Sequence, residues 1–176
     1  MNLPNKLTML RMLLIPVFII TLMTGYSFIA CGIFVLASLT DALDGHIARK
    51  YNLVTNFGKI MDPLADKLLV VSALSCLVEL GQVASWMLIV ILAREFAITS
   101  LRAVAAGDGI VIAAANSGKL KTILQMLAII LLLLQNYPFS LFTSVRVDVI
   151  VLWAAVFMTI YSGIEYIVKN KNIFSA

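Results

Sequence analysis

The chain has 176 residues, 62% of them hydrophobic and 12% charged, with a formal net charge of +4 and a mean hydropathy of +1.04. A water-soluble domain of this length has too much surface for its volume to hide that much apolar material, so an ordinary globular fold is excluded and lipid is the expected solvent. The basic residues form no solvated run with interleaved aromatics, which argues against nucleic acid as a partner.

The opening residues Met1 to Lys6 lack a strongly basic segment and a small-residue cleavage site, so the apolar stretch behind them reads as a retained span and not as a signal peptide. Six apolar segments follow in order, each near the roughly 20 residues a helix needs to cross a bilayer: Leu7–Met23, Phe28–Ala48, Asp62–Leu80, Val83–Ala105, Gly118–Gln135 and Val147–Val168. Turn residues separate them at Thr24-Gly25-Tyr26-Ser27, Leu80-Gly81-Gln82 and Ala106-Gly107-Asp108-Gly109, and Asn136-Tyr137-Pro138 ends the fifth. No linker or repeat interrupts the series, so residues 1–176 read as one all-α integral membrane domain of six transmembrane helices. Cys31 and Cys76 lie inside apolar runs and read as small buried hydrophobes, without a disulfide framework or a CxxC metal motif.

In an up-down bundle of this kind, Lys6, Arg11, Arg49, Lys50, Lys59, Lys67, Lys119, Lys121, Lys169 and Lys171 fall toward the side of the termini, and Arg146 falls opposite. The excess of cations places both termini and the 49–61 loop in the cytoplasm. The same orientation carries Asp41, Asp44, Asp62, Asp66, Arg94, Glu95, Arg102, Lys119 and Lys121 into the cytoplasmic half of the bundle. Ionisable groups at membrane depth are costly and mark a functional cavity by default.

Asp41 and Asp44 stand at i, i+3 on the second span, and Asp62 and Asp66 at i, i+4 at the head of the third, so each pair shares a helix face. The 17 residues between the pairs allow the faces to meet. Four carboxylates in a low-dielectric cleft would repel one another. A hard cation, or two, relieves that repulsion, and oxygen-only donors select Mg²⁺ or Mn²⁺ over zinc. Gly45, Ala48 and Gly58 are small enough to let a substrate or another backbone approach. Arg49 would hold a phosphate as a bidentate fork.

Structural alternatives stand beside these readings. Asp62-Pro63 also fits a helix N-cap followed by Pro at the first helical position. Asp41 also fits an interhelical hydrogen bond. His46, the single histidine, lies off the Asp41 face, and the aromatics, Trp86 and Trp153 included, read as interface anchors.

The pattern Asp41-x2-Asp44-Gly45-x2-Ala48-Arg49-x8-Gly58-x3-Asp62-x3-Asp66 resembles, position for position, the signature of the CDP-alcohol phosphatidyltransferases. The resemblance covers essentially the whole chain. It implies six membrane helices with the signature on the second and third, and a divalent metal held by Asp41, Asp44 and Asp62. Asp66 would complete the cluster and act as general base. It implies CDP-diacylglycerol as donor, with Ala42, Gly45 and Ala48 approaching the nucleotide, and a homodimer. Pro4-Asn5-Lys6-Leu7-Thr8-x2-Arg11, Ala93-Arg94-Glu95-x5-Leu101-Arg102 and Gly118-Lys119-Leu120-Lys121-Thr122 are most similar to the members that use glycerol 3-phosphate as acceptor.

On that basis Asn5, Thr8 and Arg11, on an amphipathic lead-in, would close over the cytidine, with a cap role for Thr8 as the competing reading. Arg94, Arg102, Lys119 and Lys121 would bind the acceptor phosphate. Arg94 alternatively pairs with Glu95 of a neighbouring helix, since sequence neighbours do not face each other on one helix. Two other functions remain open: a same-fold transferase for inositol phosphate, serine or phosphatidylglycerol, and a cation transporter or channel. The transporter predicts charge along the whole transmembrane path, whereas here the outer half carries only Glu79, Arg146 and Asp148 at its rim.

Overall fold

The computed structural model describes residues 3–50, 56–107, 109, 112 and 115–170, the side chains of 3–4, 41–50, 56–57, 59–60 and 63 excepted. The described residues form six α-helices: α1 (Leu3–Met23), α2 (Ser27–Lys50), α3 (Asn56–Glu79), α4 (Ser85–Gly107), α5 (Asn116–Leu133) and α6 (Val147–Lys169), with a 3-10 turn at Phe139–Leu141. The predicted segments map one to one onto these helices. Three are long and apolar enough to cross a membrane among the described residues, α1 over Asn5–Met23, α5 and α6, while the apolar part of α2, Ser27–Thr40, is shorter. The helices that carry the signature and the Arg94-Glu95 pair lose hydropathy to those charges.

The predicted turns fall where glycine supplies a left-handed residue. Gly25 (φ +90°), Gly81 (φ +70°) and Gly109 (φ +75°) all have positive φ, a conformation open to glycine without a Cβ clash. After α5, Gln135 and Asn136 also take positive φ. Asn136 is buried; its Nδ2 donates to the Val145 carbonyl at 2.9 Å and its Oδ1 accepts from the Asp148 amide at 3.2 Å. It thereby satisfies one of the unpaired N–H groups that open α6.

Helix α1 packs along α2 and α3, α5 along α6, and α4 on α6. The core runs through the first of these groups, where the Phe18 and Phe34 rings lie 6.0 Å apart among Ile15, Leu22, Leu69, Leu74 and Leu77. Cys31 and Cys76 are buried there as free thiols, as expected. Leu13, Ile20, Leu36, Ile89 and Phe157 are more than half exposed, an outward apolar surface that water would penalise and lipid tolerates.

Three boundaries differ from the sequence expectation. The first helix begins at Leu3 and runs unbroken through Pro16, so no separate amphipathic lead-in precedes it and Thr8 lies inside the helix, away from its cap. The third begins at Asn56, six residues before Asp62. Asp62-Pro63 is therefore helix interior, and the N-cap reading is overturned. The second helix runs on to Lys50, so the long hairpin expected between the aspartate pairs is mostly helix, with 51–55 outside the described residues. Both extensions leave the signature positions on helical backbone, since tertiary context overrides local propensity.

Candidate functional site

On α3, Gly58, Asp62 and Asp66 are spaced i, i+4, i+8 and form one stripe. Gly58 is buried, Asp62 half-buried and Asp66 exposed. Positions 41 and 44 lie one turn apart on α2, but the side chains of Asp41, Ala42, Asp44, Gly45, Ala48 and Arg49 lie outside the described residues. Asp62 is oriented from α1: the Thr8 hydroxyl donates to its Oδ1 at 2.6 Å. Thr8 is itself fully buried, so this charge-assisted bond is both short and shielded.

Asn5, Thr8 and Arg11 occupy one stripe of α1 and all three are buried. The sequence places them at an open rim over a nucleotide, whereas the fold turns them inward against the signature helices. Among the described residues Arg11 is the largest side chain with essentially no exposed surface, and its Nε donates to the Ala37 carbonyl of α2 at 3.3 Å, one turn before position 41. A buried guanidinium is tolerated only when partnered. This one ties α1 to the run of α2 that leads into the signature.

A polar cavity of about 470 Å³ opens beside Asp66, between α3, α4, α5 and α6. Among the described residues four cations line it, Lys67, Arg94, Arg102 and Lys119, against two carboxylates, Asp66 and Glu95. The excess of positive charge suits an anion. Three of these cations are placed by contacts with neighbouring helices. Lys67 Nζ donates to Thr99 Oγ1 across α3 and α4. Arg102 Nε donates to the Tyr166 hydroxyl of α6 at 2.7 Å, with the guanidinium carbon 5.3 Å from the ring centroid, within cation–π reach. Arg94 threads between α5 and α6: a Cβ at Gly118 would lie 3.2 Å from its Nη2, and one at Gly163 3.2 Å from its Cγ.

Lys121 stands apart from the other three. It is 3% exposed and lines a neighbouring apolar cavity of about 220 Å³ walled by Leu68, Val71, Ile91, Phe96 and Met126. Asp66, Lys67 and Glu95 line both cavities. Lys121 Nζ donates to Glu95 Oε1 at 2.6 Å, and Arg94 Nη1 reaches the same oxygen at 2.8 Å. The expectation that Arg94 and its sequence neighbour cannot meet on one helix is therefore corrected. Both side chains are long enough to curl around the helix, and the Lys121 ammonium draws the carboxylate to a common point.

At the opposite end, Gln82, Asn136, Ser140, Arg146 and Asp148 line a second polar cavity. Arg146 is bound to the buried Asp148 carboxylate at 2.8 Å, and that hydrogen bond raises the guanidinium further above its ordinary pKa. Asn136, Arg146 and Asp148 bind one another or nearby backbone around the start of α6, and Asp62 and Asp66 lie at the other end. Tyr166 and Gly163 join the Asp66 site without having been singled out in the sequence, and Glu95, placed there among the charges of the cavity, had been given no role of its own. Tyr166 and Gly163 belong to no motif there, and only the bare hydrophobic spacing of α6 pointed to that helix.

Comparison with known proteins identifies the family. The CDP-alcohol phosphatidyltransferase profile matches residues 1–161. The CDP-diacylglycerol–glycerol-3-phosphate 3-phosphatidyltransferase of Bacillus subtilis is 48% identical over 184 residues, covering 96% of this chain and 95% of the relative. The protein of the same name from Rickettsia typhi is 42% identical over 98% of this chain and 99% of its own length. A probable phosphatidylglycerophosphate synthase of Mycobacterium tuberculosis is 40% identical over 96% of this chain and 81% of its own. A profile match over 161 of 176 residues, with relatives at this identity over nearly the full length, means that the chain belongs to the CDP-alcohol phosphatidyltransferase family.

Proposed function

We propose that this protein transfers the phosphatidyl group of CDP-diacylglycerol to sn-glycerol 3-phosphate, giving phosphatidylglycerophosphate and CMP. The observation that carries the reading is the position of Asp66, on the shared wall of a cation-lined cavity and an apolar one. A doubly charged, water-soluble acceptor suits the first, and the lipid part of the donor suits the second. The full-length relatives named for this reaction support it.

In this reading all six helices cross the membrane, with both termini and the Asp66 cavity on the cytoplasmic side, by the distribution of Lys and Arg. The chain works as one domain and pairs with a second copy. Arg94, Arg102 and Lys119 bind the acceptor phosphate from the polar cavity, and Lys121, joined to Arg94 through Glu95, adds its charge to theirs from the neighbouring one; Arg49 and the small residues Ala42, Gly45, Ala48 and Gly58 accommodate the donor. Asn5, Thr8 and Arg11 support the donor site from behind. Asp66 takes the proton of the acceptor's primary hydroxyl. That oxygen bonds to the phosphorus bearing diacylglycerol, the bond from this phosphorus to the CMP oxygen breaks, and CMP leaves.

Asp41, Asp44, Asp62 and Asp66 would hold Mg²⁺ or Mn²⁺, in one or two ions. The described pair fits a hard cation: both donors are carboxylate oxygens, and Asp62 is already oriented by Thr8. When bound, the metal neutralises charge on the donor pyrophosphate. Thr8→Val, which keeps the shape but removes the hydroxyl, is expected to weaken metal activation about 10- to 100-fold, as loss of an orienting partner does. Titration of activity with Mg²⁺ and Mn²⁺ measures this, and an unchanged activation constant counts against the orienting role.

Purified protein in detergent, supplied with CDP-diacylglycerol and a panel of acceptors, tests the reaction itself. CMP release is expected with glycerol 3-phosphate and not with inositol phosphate, serine or phosphatidylglycerol. It should stop on chelation and return with Mg²⁺ or Mn²⁺. Release with another acceptor and none with glycerol 3-phosphate would reassign the substrate.

A further inference from the structure

Glu95 takes no part in the proton transfer or the displacement, yet two of the proposed phosphate-binding cations end on one of its oxygens. Arg94 Nη1 lies 2.8 Å and Lys121 Nζ 2.6 Å from Glu95 Oε1. The two cations come from different helices and face different cavities, Arg94 the polar one and Lys121 the apolar one. Without an anion between them they would repel. Lys121, at 3% exposure, would also lose the carboxylate that accepts its hydrogen bond, a costly loss for a buried ammonium.

The other end of Arg94 is already constrained. Gly118 and Gly163 leave a slot that a single added carbon at either position would narrow to 3.2 Å. Gly163 of α6 therefore borders the stem of Arg94, and Gly118 of α5 borders the guanidinium head that Glu95 holds. A role for Glu95 as a second base fits poorly, since taking up a proton would disrupt both of its ionic bonds.

We infer that Glu95 is a positioning residue, a single carboxylate that holds Arg94 and Lys121 beside Asp66 so that the acceptor phosphate meets cations already in place. The inference rests on the acceptor reading of those two cations. Preorganised charge of this kind acts on substrate binding and alignment more than on the intrinsic proton transfer.

Glu95→Gln is expected to raise KM for glycerol 3-phosphate about tenfold, with KM for CDP-diacylglycerol changed less than about twofold. Glu95→Asp, which keeps the charge on a shorter stem, should lie between. In an Arg94→Gln background the Glu95→Gln effect should shrink to about threefold or less, because residues that act through one another are not additive. A tie that merely joined α4 to α5 would lower Tm and kcat while leaving the acceptor KM unmoved, and that result would overturn the proposal. If Glu95→Gln yields no folded protein, the KM of Glu95→Asp decides. If neither folds, Glu95 is structural and the inference is lost. An unmoved acceptor KM in both Arg94→Gln and Lys121→Gln defeats the acceptor reading and this inference with it. A raised KM in those two variants but not in Glu95→Gln defeats the positioning role alone.

Discussion

Asp66→Asn is expected to slow CMP release about 10²- to 10⁴-fold, the range lost when a positioned general base is removed. The exchange is nearly isosteric and the residue is exposed at the junction of two cavities, so Tm should hardly move. Two roles converge on this carboxylate, and the metal dependence separates them. If Asp66 served chiefly as a ligand, raising Mg²⁺ or Mn²⁺ would restore much of the rate. Loss of a base is not repaired by more metal. Full metal-dependent turnover in Asp66→Asn would end the base assignment. Asp62 offers a contrast on the same helix face, because its Oδ1 is engaged by Thr8 and so points to orientation of a ligand and away from proton exchange.

Arg102→Gln should raise KM for glycerol 3-phosphate about 100-fold, the equivalent of two charge-assisted hydrogen bonds at about 1.5 kcal/mol each. The Tyr166 hydroxyl accepts from Nε and so orients the guanidinium, whose two terminal nitrogens form the kind of edge that binds a phosphate in bidentate fashion. Arg102→Lys should rescue little, since a point charge has neither the fork nor the Nε bond. Tyr166→Phe should show a milder rise of about three- to tenfold, in line with one neutral partner lost. Steady-state kinetics with varied acceptor distinguishes these outcomes, and an unchanged KM in Arg102→Gln would remove this arginine from the acceptor site.

The number and order of helices were legible in the sequence, because bilayer thickness imposes a length that few other constraints produce. Turn positions were legible for a different reason. Gly25, Gly81 and Gly109 occupy left-handed backbone, and glycine is the residue that does so at little cost. Helix ends were less so. Asp62-Pro63 has the local chemistry of a helix start, yet α3 starts at Asn56; cap preferences contribute about 1 kcal/mol, less than continued packing of a helix can supply. Among the described residues, three of the six helices show the apolar length of a span outright, because the charged groups of the site dilute the hydropathy of α2, α3 and α4.

The candidate site divides in the same way. The aspartate spacing, the family it belongs to and the gathering of cations at one end of the bundle follow from the sequence, since helix periodicity and alternating span direction are properties of the chain itself. Spacing along one helix does not tell which side chains meet across helices. Tertiary structure decided that Thr8 holds Asp62, that Tyr166 holds Arg102, and that Lys121 faces a different cavity from Arg94, Arg102 and Lys119. It also decided that Arg94 and Glu95, neighbours with no reason in helical geometry to touch, share an oxygen with Lys121. The contacts of Arg94 depend on how α4, α5 and α6 pack, with Gly118 and Gly163 leaving room for its side chain, an effect that exists only once the helices are packed.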